Sequence, residues 1–504
     1  MFNKLEHDAS RRGFLRTLGS SLAWPLWATT LGGGKEDRVV VGRGRLEVAA
    51  ARFDCTPPLG VPSPTLGLNP VVRQIQGPME TRLFALRQGS LTIGWANSDY
   101  SIAGPGRRIL SEALNLPLEQ TVVSETHNHS VVTAGGLFSN ARGFGSGFFR
   151  DFREAARSLQ RRFEPATLSW ALEEQRTITY NRKGRRQDGS TYFMREEDRI
   201  NLGDFVGAID PLATLLRFDR INGDPLLLMG HFTGHPVVSY NLEEPVINPD
   251  YSGWSIMDLV ESFYPRRPVG VFLQGCAGDI SAKGMFDGPI RARAAGARLG
   301  ESFIRASEKT TTVRTDALGL ARGTAQIPFG PLPSVRELKR QREELLDFQK
   351  RAEAGDEDTL RVLGYNFSAY MEMKYRRNLA RPLLRWTDWA LEVHEKGTVL
   401  PDSLPLPLQV VALGEVAIVT IPCEAFSSIG IRIREQSPFR VTIPAAYSNG
   451  YLGYIGASED VGDREYMSAF YRYTRRPPFA RPAGDAIVQK AVELLEKSQH
   501  AMIR

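Results

Sequence analysis

Two pairs of histidines are the residues of this chain best placed to do chemistry. They are His127/His129 in Thr126-His127-Asn128-His129-Ser130 and His231/His235, the second pair closing on Gly234-His235-Pro236. The sequence holds only 7 histidines, so both clusters stand out against a histidine-poor background. Neighbouring imidazoles can share a metal, or one can bind it while the other moves protons. The first pair follows the apolar run Thr121-Val122-Val123-Ser124. A strand leading into His-x-His puts both rings on one face, because side chains two apart in a strand point the same way. Ordinary hydrogen-bonded histidines would explain one such cluster as well as metal does; two clusters favour metal.

A catalytic zinc takes three protein ligands from His, Glu, Asp or Cys and keeps an open position. His127 is one candidate. His235 is a second, set in a tight loop after the apolar stretch Leu226 to Met229. Glu424 is a third: the run Val416 to Ile421 ends at Pro422-Cys423-Glu424, so a carboxylate emerges where the apolar pattern stops. Taken alone, Glu424 would read as a surface glutamate. Asp250 and Asp279, in Asn248-Pro249-Asp250-Tyr251 and Gly278-Asp279-Ile280-Ser281, could support a ligand from behind or simply make turns.

The elements that must position these residues mix strands and helices along the whole chain. Val39 to Val41, Leu46 to Ala51, a hairpin from Phe84 to Asp99, Thr121 to Ser124, Thr167 to Glu173, Leu212 to His231, Val269 to Leu273 and Leu408 to Pro422 read as strands. Ile109 to Leu114, Phe152 to Phe163, Ile290 to Lys309 and Ala486 to Met502 read as helices. The stretch Thr133 to Phe149, dense in glycine and aromatics, reads as a loop that could wall an apolar ligand. Val335 to Lys396 reads as an external helical hairpin, so residues 334–397 are expected to be a helical insertion. With no repeat and no low-complexity linker, the expected fold is α/β: a single large domain over 37–504, a mixed β-sheet core and flanking helices.

Composition sets the outer limits. Hydrophobic residues at 42% and charged residues at 24% are ordinary for a globular protein, and 504 residues can bury a large core. The formal charge of +6 is modest and contains no Lys/Arg block, which argues against nucleic acid and allows contact with anionic surfaces such as lipid headgroups. Cys55, Cys276 and Cys423 are too few and odd in number for a disulfide framework. Ser10-Arg11-Arg12-Gly13-Phe14-Leu15, followed by an interrupted apolar stretch from Leu18 to Leu31, reads as a twin-arginine export signal over 1–36. The expected destination is the periplasm or the exterior, and export in the folded state suits a protein that acquires its cofactor first.

The motifs together carry a resemblance. Thr126-His127-Asn128-His129-Ser130, Gly234-His235-Pro236, Asp250-Tyr251-Ser252-Gly253, the segment Phe272 to Ser281, Pro422-Cys423-Glu424-Ala425-Phe426 and Ser448-Asn449-Gly450-Tyr451 occur in register. In that order they resemble the catalytic domain of the neutral/alkaline, non-lysosomal ceramidases over roughly residues 40 to 480. The resemblance implies a Zn2+-dependent hydrolase of the N-acyl amide of ceramide or a related lipid. It implies zinc on His127, His235, Glu424 and Tyr454, with Tyr451 as the alternate tyrosine. It also implies site roles for His129, for Arg182 in Asn181-Arg182 as a substrate or oxyanion contact, for Ser281, and for Tyr466 as proton donor. Departures are expected to reshape the substrate pocket, since Asn128 and Val131-Val132 replace the family's more usual surroundings; the chain is also expected to lack the family's C-terminal immunoglobulin-like domain.

Overall fold

The computed structural model describes residues 37–504 apart from 64–69, 134–136, 138–142, 186–187, 195–206, 242–243, 357–360, 363–364 and 367–371. The expected export signal therefore lies outside the described residues. Two sheets face one another. The larger has 9 strands, running in the order Val269–Gln274, Pro225–Phe232, Leu212–Arg220, Glu164–Glu174, Glu47–Asp54, Glu80–Gln88, Leu91–Ser98 and Thr121–Glu125, with Thr311–Val313 also paired to Glu164–Glu174. The smaller has 5 strands, in the order Arg38–Arg43, Ala317–Pro328, Ser403–Leu413, Val416–Thr420 and Val441–Ala445.

Alternation along the strands builds the layers. Val48, Phe84 and Leu86 from the large sheet meet Leu320, Val411 and Ile418 from the small one, so one apolar core lies between the sheets. The alternate residues Ala49, Leu83 and Ala85 face the helices Ala103–Leu114 and Phe144–Leu159. At the other end of the large sheet, Leu215 and Leu228 face Asp250–Glu261 and Pro289–Ser307. Val410 and Ala412 of the small sheet face the helix Asp485–Ile503. The result is a four-layer α/β/β/α domain, the mixed α/β architecture expected from the sequence. Cys55, Cys276 and Cys423 are free thiols inside it, and no helix among the described residues is long and apolar enough to cross a membrane.

Three parallel pairings matter for function: Leu91–Ser98 with Thr121–Glu125, Pro225–Phe232 with Val269–Gln274, and Val416–Thr420 with Val441–Ala445. The large sheet curls until its edges approach, and the Asn97 amide donates to the Phe272 carbonyl across the gap at 2.9 Å. The small sheet is tied to the same edge. Asn449 extends Thr121–Glu125, donating its backbone N–H to Val123 O at 2.7 Å and accepting from Val123 N at 2.9 Å through its side-chain oxygen. Segments leaving the C-terminal ends of parallel strands in both sheets therefore meet at one place.

Close helix packing fixes the strand that leads to His235. A Cβ on Gly230 would sit 2.7 Å from Phe303 Cζ and 2.9 Å from Ile256 Cδ1. Gly230→Ala should overpack this layer and cost about 1–3 kcal/mol, read as a lowered urea midpoint; an unchanged midpoint would mean that the helices do not press on the strand as described.

Two sequence expectations shift, and the helical hairpin is found as expected. The helix expected at Phe152 to Phe163 spans Phe144–Leu159, because burial of Phe148 and Phe152 under the sheet outweighs the helix-weakening Gly145 and Gly147. Asp250 is no mere turn residue but opens the helix Asp250–Glu261. The expected insertion comprises the helices Val335–Glu353 and Met373–Lys396, which pack on each other between two neighbouring strands of the small sheet.

Candidate metal centre

The strand Thr121–Glu125 stops before the histidines. His127 lies beyond it with φ 59°, a left-handed conformation costing a residue other than glycine about 1–3 kcal/mol. The pleat argument for His127 and His129 is thus corrected: a loop turn, not strand periodicity, brings their rings together, with Nε2 to Nε2 at 3.2 Å. Hydrogen bonds fix that turn, from Thr126 N to Ser98 O at 3.0 Å and from His129 N to Pro236 O at 3.2 Å.

His235 arrives from the end of Pro225–Phe232, with its N–H on Ile280 O at 3.0 Å. Its ring Nδ1 lies 2.6 Å from Ala277 O and 3.1 Å from Ile280 O, so Nδ1 carries the proton and Nε2 presents a lone pair inward. Burial, helped by the Arg182 charge, lowers the His235 pKa to about 3 and keeps the ring neutral. Glu424 is fully buried and follows Val416–Thr420. Its Oε2 lies 2.9 Å from His235 Nε2 and 3.3 Å from His127 Nε2. Burial would raise this carboxyl, yet the neighbouring His127 holds it well below its ordinary range.

Two acceptors, a carboxylate oxygen and an imidazole lone pair, therefore confront each other in a buried site. A cation resolves that conflict. Donors about 2.1 Å from a common tetrahedral ion are roughly 3.4 Å apart, and the separations of 2.9 and 3.3 Å between Glu424 Oε2 and the Nε2 atoms of His235 and His127 approach that spacing. One ring nitrogen from each of His127, His129 and His235 falls within 4.8 Å of the other two. The donor set fits a divalent metal.

Polar groups surround this cluster. Arg182 Nη2 lies 3.1 Å from His235 Nε2 and 3.0 Å from Tyr454 OH, while donating to Gly278 O at 2.8 Å. Burial opposes the Arg182 charge, but Tyr454 and Glu424 outweigh it and keep the guanidinium protonated. Tyr454 OH is 3.3 Å from His235 Nε2, and the strand pairing sets Tyr454 directly beside Glu424. Tyr451 also reaches the cluster, its hydroxyl 2.5 Å from Glu424 Oε1 although half of the residue is exposed. Tyr466 packs edge-on to Tyr454 at 5.6 Å, and burial together with the Glu424 charge pushes its hydroxyl pKa up.

Ser281 backs His235 through a backbone bridge; its buried hydroxyl has no hydrogen-bond partner among the described residues. Asp279 accepts from the Asn181 amide at 2.8 Å and from Ser427 N at 2.7 Å, tying the Arg182 strand to the segment after Glu424. Asp250 accepts from Ser239 N and Ser239 Oγ, 2.9 and 2.8 Å away, and so shapes the loop after His235. His231, the fourth clustered histidine, goes elsewhere: it is buried among Asp210, Arg434 and the Pro444 backbone. Sequence reasoning missed Tyr447, whose ring stacks on His127, and Tyr240, edge-on to His129 at 5.0 Å. The available signal for Tyr447 was positional, since it follows Val441–Ala445 much as Glu424 follows Val416–Thr420.

His231 supports a pH prediction. Burial lowers its pKa from 6.5 to about 4, so between those values the unfolded chain binds the proton more readily and stability falls as pH falls. Glu125 acts oppositely: burial raises its pKa to about 7, so its contribution grows as pH drops toward 4.5. Removing only the histidine separates the two. Relative to wild type, His231→Gln should gain about 2–3 kcal/mol in unfolding free energy between pH 7 and 4.5; parallel stability–pH curves would contradict this.

No protein-family profile matches the chain, and no curated protein matches it. Solved structures do. A ceramidase described as complexed with C2 superposes with a TM-score of 0.61 at 16% identity, covering 91% of this chain and 76% of that one. The neutral ceramidase of Pseudomonas aeruginosa superposes with a TM-score of 0.60 at 18% identity, covering 90% of this chain and 75% of that one. The resemblance expected from six short motifs is thus borne out in three dimensions, and the chain has the fold of the neutral ceramidases.

Proposed function

We propose that this protein is an exported, zinc-dependent amidohydrolase that cleaves the N-acyl amide of ceramide or a related lipid. The observation that carries the reading is Glu424 Oε2 buried between two histidine nitrogens, 2.9 Å from His235 Nε2 and 3.3 Å from His127 Nε2, in a chain with this fold. His127, His235 and Glu424 would hold the ion, with the Tyr454 hydroxyl alongside. When bound, zinc would supply Lewis acidity, polarising an amide carbonyl and lowering the pKa of water from about 16 to near 7.

The chain's own residues supply the rest. Burial and the adjacent His127 and His235 hold the His129 pKa well below 6.5, so its ring is neutral and a reluctant base, placed beside the ion site to hold the oxyanion or pass a proton on. Arg182 Nη2 offers a fixed positive donor to charge developing on the carbonyl oxygen. Tyr466, held protonated, can return a proton to the leaving amine. The twin-arginine segment supports export to the periplasm or beyond, where a lipid substrate or an anionic lipid surface would be its partner.

A panel of N-acyl lipids with different headgroups, assayed with and without chelator, tests the reading. Chelator-sensitive release of fatty acid from ceramides is expected. Chelator-sensitive cleavage of another ester or amide alone would keep the metal chemistry and overturn the substrate. A folded protein that binds no metal would favour a non-catalytic lipid- or glycan-binding role.

A further inference from the structure

The two histidines nearest Glu424 are oriented in different ways. His235 Nδ1 is fixed by two backbone carbonyls. No hydrogen bond from His127 Nδ1 to the described residues is formed, while its Nε2 lies 3.3 Å from Glu424 Oε2 and 3.2 Å from His129 Nε2. Ligating histidines ordinarily have their second nitrogen held by an acceptor that sets the ring's attitude. Among the described residues no acceptor does this for His127, whose side chain is 10% exposed.

Tyr447 is the group in place. Its ring lies against the His127 ring with centroids 4.2 Å apart and planes 29° apart, and the residue is 1% exposed. The edges of His129 and His235 complete the enclosure at 4.8 and 4.7 Å. The Tyr447 main chain makes two further ties: its carbonyl accepts from Glu125 N at 3.0 Å, and its N–H donates to Cys423 O at 3.4 Å. One residue therefore bonds to the segment that delivers His127 and to the segment that delivers Glu424. Tyr447 itself has φ 54°, so two left-handed residues are packed face to face at the centre. Its hydroxyl is buried with no partner among the described residues, which leaves the flat ring as the part that does the positioning.

We infer that Tyr447 is a positioning residue of the metal centre, its ring taking for His127 the orienting role that backbone carbonyls take for His235. The inference rests on the metal-centre reading above. It is tested by zinc affinity from chelator competition, the visible spectrum of the cobalt-substituted protein, and the melting temperature of the metal-free protein, on wild type, Tyr447→Phe, Tyr447→Leu and Tyr447→Met. Tyr447→Phe should bind zinc within about twofold of wild type. Tyr447→Leu and Tyr447→Met, which fill space without a flat face, should bind about 10–100-fold more weakly and shift the cobalt spectrum. A merely structural tyrosine would lower the metal-free melting temperature and leave affinity and spectrum unchanged. That result, or a Phe variant as weak as the Leu variant, would overturn the inference. Met keeps the test open if Leu does not fold. Wild type that binds no zinc would instead remove the metal-centre reading itself, and this inference with it.

Discussion

Replacing His235 by alanine is expected to strip zinc from the protein and lower amide hydrolysis by at least about 1,000-fold. The ring is fully buried, its tautomer is fixed by two carbonyls, and its Nε2 faces Glu424 at 2.9 Å. Nothing else in the described site replaces that lone pair on its side of the carboxylate. His127→Ala should behave alike, since its Nε2 completes the other flank at 3.3 Å. Because each deletion also opens a cavity, folding must be checked by circular dichroism on the same samples. A folded His235→Ala protein that retained both zinc and turnover would show that the donor set has been misassigned.

Arg182→Lys is the second large effect: kcat should fall about 100–1,000-fold while zinc content stays at the wild-type level. The guanidinium reaches Gly278 O through two nitrogens, at 3.2 and 2.8 Å, and from that anchorage holds one nitrogen 3.0 Å from Tyr454 OH and 3.1 Å from His235 Nε2. A lysine ammonium keeps the charge but lacks the second nitrogen, Nε, that with Nη2 grips the Gly278 carbonyl in a rigid plane, so its donor is not held pointing inward. The split between constants is diagnostic. A rise in KM with kcat unchanged would make Arg182 a substrate-binding contact rather than a group acting on the developing charge.

Much of this architecture was legible before any coordinates. The hairpin Glu80–Gln88/Leu91–Ser98 and the strands Leu212–Arg220 and Pro225–Phe232 follow from alternating apolar residues and tight turns. The site residues were legible as chemical types, because a histidine-poor chain concentrates histidines in two motifs and a glutamate breaks a long apolar run. What could not be read was how distant segments converge. The left-handed turn at His127 is not assigned by Thr126-His127-Asn128: histidine and asparagine both tolerate that conformation, and the motif does not say which of them takes it. The stack of Tyr447 on His127 depends on Asn449 extending the edge of the large sheet, a contact between residues more than 300 positions apart. His231 illustrates the converse: four positions from His235, it matched the metal pattern by spacing, yet a strand followed by a turn sends it to Asp210 and Arg434 instead. The early start of the Phe144–Leu159 helix was hidden in the same way, since local glycine propensity is outweighed by phenylalanines that find a sheet to cover.

The central claim is that His127, His235 and Glu424 share one divalent ion and that amide hydrolysis depends on it. The most direct measurement is elemental analysis of the purified protein paired with turnover before and after chelation. About one zinc per chain is expected, lost together with activity on chelation and restored by added zinc. Folded protein that carries no metal and hydrolyses its amide substrate equally well in the presence of chelator would contradict the account.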